Sequence, residues 1–354
     1  MKISDYIPTD LIKEIFLRLP TKSIARFRCL SKLWGSMLCC PSFTELFLTM
    51  SLARRGFYLG SNNMFSGDIS RYICSHASGL LYFQGMNISK DGDDEVRVPM
   101  ICNPITGRYA ILPKLRSNKE QISFLGFDPI DKQFKVLFIS HPYYCDDDYK
   151  ILTLGTGKMR WRNIDCPVSH ECSWRGICID GVLYYLAKPK YQRSYVIVCF
   201  YVRSEKFKFV DAKFCGSSPS DIILVNYKGK LGGIVLKHVS FCGFSLELCM
   251  WVLEDVEKHE WSKCVYYLWD DNEVIHVSYY LSVAGMTTTA EIVLSTDYAF
   301  KPYYVYYFNP EKNILRRVEI QGFEEYVDVF KIRGKVFAFV NYVDDLYLND
   351  TKQF

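Results

Sequence analysis

Several features that the sequence lacks argue against particular classes of protein. It contains no run of five or more Lys or Arg residues, and 43 basic against 39 acidic residues leave a net charge of only +4. So weak a charge argues against a nucleic-acid-binding protein. The longest nearly uncharged apolar run, residues 239–253, contains Glu247 and is too short for a transmembrane helix. The first ten residues hold two Asp and a Pro where a secretory signal needs an apolar core. We therefore expect a soluble intracellular protein, in the cytoplasm, the nucleus or both, that binds neither nucleic acid nor a membrane.

Cysteine is present but is not arranged for disulfides or metal. The 14 cysteines make up about 4% of the 354 residues, below the roughly 8–10% typical of disulfide scaffolds. No C-x-x-C pair occurs, and the six His do not cluster near Cys at zinc spacing. Cys199 and Cys249 lie inside apolar runs, where a cysteine behaves as a small hydrophobic residue. We expect reduced thiols and no metal.

Catalytic motifs are missing as well. LGTGKM (154–159) lacks the spacing and the Ser or Thr of a phosphate-binding loop. HEWSK (259–263) has Lys263 where a zinc-protease helix needs its second His, and GFSLE (243–247) lacks the closing Gly of a nucleophile elbow. We expect a protein that is not an enzyme and has no cofactor.

Residues 8–38 have a helical period. Leu11, Ile15 and Leu19 form one apolar row, and Ile12 and Phe16 form a second row beside it. Pro20 ends this helix, Thr21 caps a second and Ser31 caps a third. The apolar residues of the last two helices are Ile24, Phe27, Leu30, Leu33, Trp34, Met37 and Leu38.

Two apolar rows on one short helix are more than a unit of this size needs for its own core. One explanation is that the unit folds onto the rest of the protein and buries both rows. The other is that one row is kept for a partner. Periodicity alone does not separate them.

This stretch resembles the F-box, the module that docks substrate receptors onto the Skp-type adaptor of cullin–RING ubiquitin ligases. The matching residues are Pro8-x-Asp10-Leu11-Ile12, Arg18-Leu19-Pro20, Lys22-Ser23, Phe27-Arg28-Cys29 and Ser31-Lys32 before Trp34. The resemblance implies three helices in which Ile15, Phe16 and Phe27 form the core. It implies adaptor contacts at Pro8, Leu11, Ile12, Leu19, Pro20, Ile24 and Trp34.

From about residue 70 the period changes to two. The chain is 16% aromatic, and strand–turn–strand units recur with turns near Ile105, Thr156, Ser204, Val256 and Glu311. Their separations of 51, 48, 52 and 55 residues are in the range of one four-stranded propeller blade. A weaker series of glycines, Gly79, Gly126, Gly181, Gly229, Gly285 and Gly334, keeps a similar step. The pattern favours a propeller of five or six blades, with a pair of β-sandwiches as the alternative.

The β-rich region resembles the F-box-associated β-domains (type three and type one, kelch-like) of plant F-box proteins. The most distinctive of the matching segments is MWVLEDVEKHEWSKC (250–264), and others are ICNPITGRYAILP (101–113) and RGICIDGVLYYLA (175–187). We therefore predict an α+β multidomain protein with a three-helix F-box followed by an all-β, propeller-like domain. The expected divisions are 1–45 for the F-box, 46–70 for a connector and first strand, 71–345 for the β-domain and 346–354 for a tail.

These resemblances imply a substrate-recognition subunit of an SCF ubiquitin ligase, bound through the adaptor to cullin and RING subunits. The target protein is unknown. Candidate target contacts lie in two aromatic and acidic segments, at Tyr143, Tyr144, Trp269 and Asp270, because propeller loops carry recognition and Tyr and Trp are frequent hot spots. An adaptor-bound scaffold that delivers no substrate and a propeller enzyme are the alternatives.

Overall fold

The structure is a computed structural model. It describes residues 9–17, 21–38, 57–61, 74–89, 95–103, 108–115, 120–141, 148–156, 159–213, 221–240, 244–269, 281–296, 303–320 and 336–340.

The N-terminal elements are three short helices, α1 (Thr9–Leu17), α2 (Thr21–Leu30) and α3 (Lys32–Leu38). Ser31 separates the last two. Its hydroxyl oxygen accepts hydrogen bonds from the backbone N–H groups of Leu33 (3.1 Å) and Trp34 (3.4 Å), so Ser31 caps α3 as predicted.

The rest of the described chain is β-structure. The first strand is β1 (Phe57–Ser61). Blade 1 contains β2 (Cys74–Ala77), β3 (Leu80–Ser89), β4 (Glu95–Asn103) and β5 (Arg108–Ile111). Blade 2 contains β6 (Glu120–Asp128), β7 (Gln133–His141), β8 (Asp148–Thr153) and β9 (Arg162–Asn163). Blade 3 contains β10 (His170–Ile179), β11 (Val182–Pro189), β12 (Val196–Tyr201) and β13 (Lys206–Asp211). Blade 4 contains β14 (Ile223–Tyr227), β15 (Lys230–Ser240), β16 (Phe244–Asp255) and β17 (Glu260–Trp269). Blade 5 contains β18 (Leu281–Met286), β19 (Ile292–Thr296), β20 (Tyr304–Asn309) and β21 (Ile314–Glu319). The last strand is β22 (Val336–Val340).

The blades form a five-bladed β-propeller. In each blade the strands pair antiparallel in sequence order, and the first strands of consecutive blades lie side by side. β1 and β22 pair with each other in a further two-stranded sheet. The propeller prediction is confirmed, and the alternative of two β-sandwiches is wrong.

The predicted turns mark equivalent positions. Each of the five joins the third strand of a blade to the fourth: β4 to β5, β8 to β9, β12 to β13, β16 to β17 and β20 to β21. The separation near 50 residues was therefore the true blade repeat.

The glycines of this series have two different structural roles. Gly79, Gly181 and Gly229 occupy two-residue turns between first and second strands with φ near +80°, next to a second residue of positive φ. That geometry needs glycine in tight hairpins. Gly126 instead lies inside β6, where an added Cβ would be 2.7 Å from Cγ2 of Val202 in blade 3. Gly285 lies inside β18, and Gly334 lies outside the described residues.

The hydrophobic core lies between adjacent blades. Blades 2 and 3 bury Phe124, Tyr185 and Phe200 together, and the Phe124 and Tyr185 rings stack with centroids 4.9 Å apart. Side chains of neighbouring blades also satisfy the free edge of β6. Leu125 N donates to Ser75 Oγ (3.0 Å) and Phe127 N donates to Cys178 Sγ (3.3 Å). The inner edge of β6 is thereby covered from both sides.

The two faces of the propeller differ. Because strands alternate in direction, the first-to-second and third-to-fourth turns lie on one face, which we call the tight-turn face. The other connections, including the 142–147, 190–195 and 270–280 segments, leave from strand ends on the opposite face, which we call the connector face. Longer connections suit recognition because they vary without disturbing the blades.

Candidate partner-binding surfaces

The helices share a small core. Phe16, Ile24 and Leu38 are buried, and Phe27 and Trp34 pack against them. The three aromatic rings are mutually tilted, with centroids 5.1–5.6 Å apart. These contacts fix the orientation of α1 against α2 and α3.

Around this core the helices present aliphatic side chains to solvent. Leu11 and Ile15 are 51% and 52% exposed, and they lie one turn apart on α1. Leu30 and Leu33 are 68% and 63% exposed. Four such side chains on so small a unit are the kind of surface that a partner covers.

The burial of two side chains in the structure differs from what the predicted adaptor contacts and helical core require. Ile24 is completely buried in the helical core, so its side chain has no surface to offer an adaptor. Ile15, expected in the core, is exposed. Ile12 and Trp34 are partly buried against the core. Pro8, Leu19 and Pro20 lie outside the described residues.

The predicted target contacts are only partly within the described chain. Trp269 is the last residue of β17, and its backbone pairs with Ser245 of β16 at the connector-face end. Tyr143, Tyr144 and Asp270 lie outside the described residues. The strands that flank their segments, β7 and β17, both end on the connector face.

Sequence reasoning missed an exposed aromatic residue on an inner strand. In β10 the pairing with β11 slips between Cys172 and Gly176, so that three residues of β10 lie opposite Leu186 alone. This bulge carries Trp174, which is 51% exposed. β10 also lies beside the first strands β2, β6 and β14, so the bulge is on the inner side of the ring. Only the pairing register reveals it.

Comparison with known proteins identifies the family to which this architecture belongs. The F-box domain model matches residues 5–46, and the model described as "F-box associated beta propeller domain" matches residues 38–343. The chain belongs to the F-box proteins that carry this propeller. It is 48% identical to F-box protein At3g57590 of Arabidopsis thaliana over 98% of this chain and 92% of the relative. It is 49% identical to the putative F-box protein At1g33020 of the same plant over 99% of this chain and 67% of the relative.

Solved structures are more distant from this F-box protein. The crystal structure of TolB from Acinetobacter baumannii covers 76% of this chain and is itself covered to 56%, with 10% identity and a TM-score of 0.38. A likeness so low carries no argument about activity.

Charges on the tight-turn face of this F-box protein are paired between blades. Arg203 of blade 3 donates to Asp131 of blade 2 (3.2 Å), Lys208 of blade 3 pairs with Glu257 of blade 4, and Lys228 of blade 4 pairs with Glu311 of blade 5. These cations of the tight-turn face therefore have acidic partners on adjacent blades.

Cysteines and metal-binding side chains are the groups to consider for reactivity in the described part of the F-box protein. Its described cysteines are free, and burial raises the pKa of Cys199 to about 12, which keeps that thiol protonated and unreactive. Within the described ranges, no group of three His, Cys, Asp or Glu side chains is placed to hold a metal. No helix there is both long and apolar enough to cross a bilayer.

Proposed function

We propose that this F-box protein is the substrate-recognition subunit of an SCF-type cullin–RING ubiquitin ligase. The helical unit, as a three-helix F-box, docks a Skp-type adaptor and through it the cullin and RING subunits. The propeller binds the target protein. The observation that carries the proposal is the set of half-exposed aliphatic side chains on a unit that matches the F-box. The chain performs no bond chemistry itself and acts by raising the target's effective concentration near the conjugating enzyme.

The adaptor-binding surface that we propose is centred on α1. It contains Leu11 and the exposed Ile15, which replaces the buried Ile24 in the set of contacts implied by the resemblance. The remaining proposed contacts are Pro8, Ile12, Leu19, Pro20 and the exposed edge of Trp34. Burying this surface is favourable because each fully buried aliphatic side chain gives roughly 1.5–3 kcal/mol.

The target-binding surface that we propose is the connector face, with contacts at Tyr143, Tyr144, Trp269 and Asp270. We keep the domain division at residues 1–45, 46–70, 71–345 and 346–354. We place the protein inside the cell, in the cytoplasm, the nucleus or both, because its proposed ligase partners work there. No nucleic acid or membrane partner and no cofactor enters the proposal.

The test is co-purification of the full-length protein with a Skp-type adaptor. Wild type is expected to bind, and Leu11→Asp and Ile15→Asp are each expected to weaken binding by about tenfold or more, because a carboxylate would be buried at an apolar interface. Ile130→Asp is the matched control: Ile130 is 69% exposed in a turn on the tight-turn face, and its replacement should leave adaptor binding unchanged.

Failure of the wild type to bind, or retention of binding by both α1 variants, would overturn the adaptor proposal. A scaffold that delivers no substrate would bind the adaptor equally well. It is distinguished by comparing ubiquitinated proteins in cells with and without the protein, since a substrate receptor must leave at least one protein accumulating when it is removed.

A further inference from the structure

One end of blade 3 has an unusual charge distribution. From Val182 to Ser204 the sequence contains no Asp or Glu, whereas Lys188, Lys190 and Arg193 lie together around the connection from β11 to β12. This connection is on the connector face, the face to which target binding is assigned above.

The backbone of this connection is held by two hydrogen bonds, whereas its side chains are exposed to solvent. Lys190 N donates to the carbonyl oxygen of Ser169 (3.1 Å), and Gln192 N donates to that of Pro189 (3.1 Å). Residues 190–194 are nonetheless exposed, and the Tyr191 side chain is 97% exposed. A tyrosine held at that exposure on a fixed backbone buries a large apolar area when a partner covers it.

The cations here differ from those on the tight-turn face. There, Arg203, Lys208 and Lys228 each have an acidic partner on an adjacent blade. Lys188 and Arg193 are exposed and form no ion pair with any described residue. Glu171 lies opposite Lys188 in the β10–β11 register, but within the described chain the two form no ion pair. The positive charges of Lys188 and Arg193 are therefore available to a partner.

The bulge of β10 lies at the same end of the same hairpin. It faces Leu186, two residues before Lys188 on β11, and it presents Trp174 and Arg175, both exposed. The open end of the β10–β11 hairpin thus carries two exposed aromatic side chains among cationic ones. Tyr, Trp and Arg are the residue types that most often dominate binding energy.

We infer that the open end of the β10–β11 hairpin, with Lys188, Tyr191 and Arg193 at its centre and Trp174 beside it, binds an acidic segment of the target protein. The inference rests on the proposed function and names the chemical class of the target. The carboxylates of the segment would meet Lys188 and Arg193, and its apolar side chains would cover the aromatic rings.

A short acidic protein segment fits this surface better than a nucleic acid or an anionic membrane does. The connections from β7 to β8 and from β17 to β18 leave the same face, and their sequences contain Asp146 and Asp147 in one and Asp270, Asp271 and Glu273 in the other. A nucleic acid or an anionic membrane would extend past blade 3 to the ends of β7 and β17, from which these acidic sequences continue. A short acidic peptide need only reach blade 3.

The test is selection of a displayed library of random 12-residue peptides on the purified full-length protein. Selected peptides are then synthesised with a fluorescent label and measured by anisotropy at two salt concentrations. We expect enrichment of Asp and Glu, with affinity that falls as salt rises. Lys188→Glu/Arg193→Glu should weaken binding by about tenfold or more, and Tyr191→Ala should weaken it by a similar factor. The control Lys258→Glu/Lys312→Glu makes the same charge change on the tight-turn face and should bind like wild type.

Failure to select any peptide, selection without acidic enrichment, or equal loss in the control would each overturn the inference. Transfer RNA and phosphatidylserine vesicles are tested in parallel. Tighter binding of either to wild type than to the Lys188/Arg193 variant would assign the surface to that class instead. Every variant is also assayed for adaptor co-purification, so a failed peptide experiment with intact adaptor binding rejects this inference alone.

Discussion

Lys135 is the third residue of β7, and its side chain is only 9% exposed, which is costly for an ammonium group unless it is paired. Its Nζ donates to the carbonyl oxygen of Val202 (2.9 Å) and to the Glu205 carboxylate (2.6 Å). Arg162 pairs with the same carboxylate. Burial acts to raise the pKa of Glu205, but the hydrogen bonds from Arg162 and Lys135 outweigh it and leave that pKa below its ordinary value. Glu205 therefore joins blades 2 and 3.

Glu205→Gln is expected to lower the free energy of unfolding at neutral pH by about 1–3 kcal/mol, because it leaves the buried Lys135 without its counter-charge. The folded-state pKa of Glu205 is lower than the unfolded one. Its stabilisation is therefore complete above the unfolded pKa and is lost as pH falls through the folded pKa. Urea unfolding of both proteins between pH 7 and pH 4 should show the difference shrinking with acidification.

Glu311→Gln provides the comparison, because Glu311 pairs with Lys228 at an exposed surface. That variant should unfold at nearly the wild-type urea concentration at every pH. If Glu205→Gln behaves in the same way, the carboxylate does not hold the two blades together.

Among the elements, two of the four-residue turns share a side-chain cap. Asn309 Oδ1 accepts hydrogen bonds from the N–H groups of Glu311 and Lys312, both 3.0 Å. Asp255 makes the same pair of contacts in blade 4, to Glu257 and Lys258. These caps satisfy the turn backbone and fix the register of the third and fourth strands.

Asn309→Ala is expected to destabilise the protein by about 1 kcal/mol, because two turn N–H groups lose their acceptor. Asn309→Asp keeps the acceptor and should be close to wild type. Thermal unfolding followed by circular dichroism measures both variants. Equal melting temperatures for all three proteins would mean that water replaces the cap at no cost.

The turns were predictable from sequence because their chemistry is local. The pairs Asn309-Pro310 and Asp180-Gly181 predict a turn regardless of the residues that pack around them. The orientation of the helices was not. The rows Leu11/Ile15 and Ile12/Phe16 are equally apolar, so periodicity could not tell which one α2 and α3 would cover.

The bulge at Trp174 escaped prediction for a related reason. Its position depends on how β10 pairs with β11 and packs beside three other first strands, and no local residue pattern encodes that arrangement. Local chemistry thus fixes where strands end, whereas packing between blades decides which side chains remain exposed.

At the scale of the whole molecule, the pairing of β1 with β22 joins the two described strands that are furthest apart in the sequence. Phe57 pairs with Val340, 283 positions later in the chain. Val340 is buried with Val293, Tyr303 and Val305 of blade 5, and an added Cβ on Gly285 would lie 3.2 Å from it. The two ends of the β-region are therefore joined at a packed site beside blade 5.

Val340→Ala tests whether this junction stabilises the propeller as a whole. Removing two buried methyl groups is expected to lower the free energy of unfolding by about 2 kcal/mol. Val318→Ala, in the exposed outer strand β21, is the control and should change it little. If the junction is part of one cooperative unit, amide hydrogen exchange should quicken in β1, β22 and the blade 5 strands by a common factor. If exchange instead quickens only in β1 and β22 while the urea midpoint stays at the wild-type value, the two strands open on their own and the five blades fold without them.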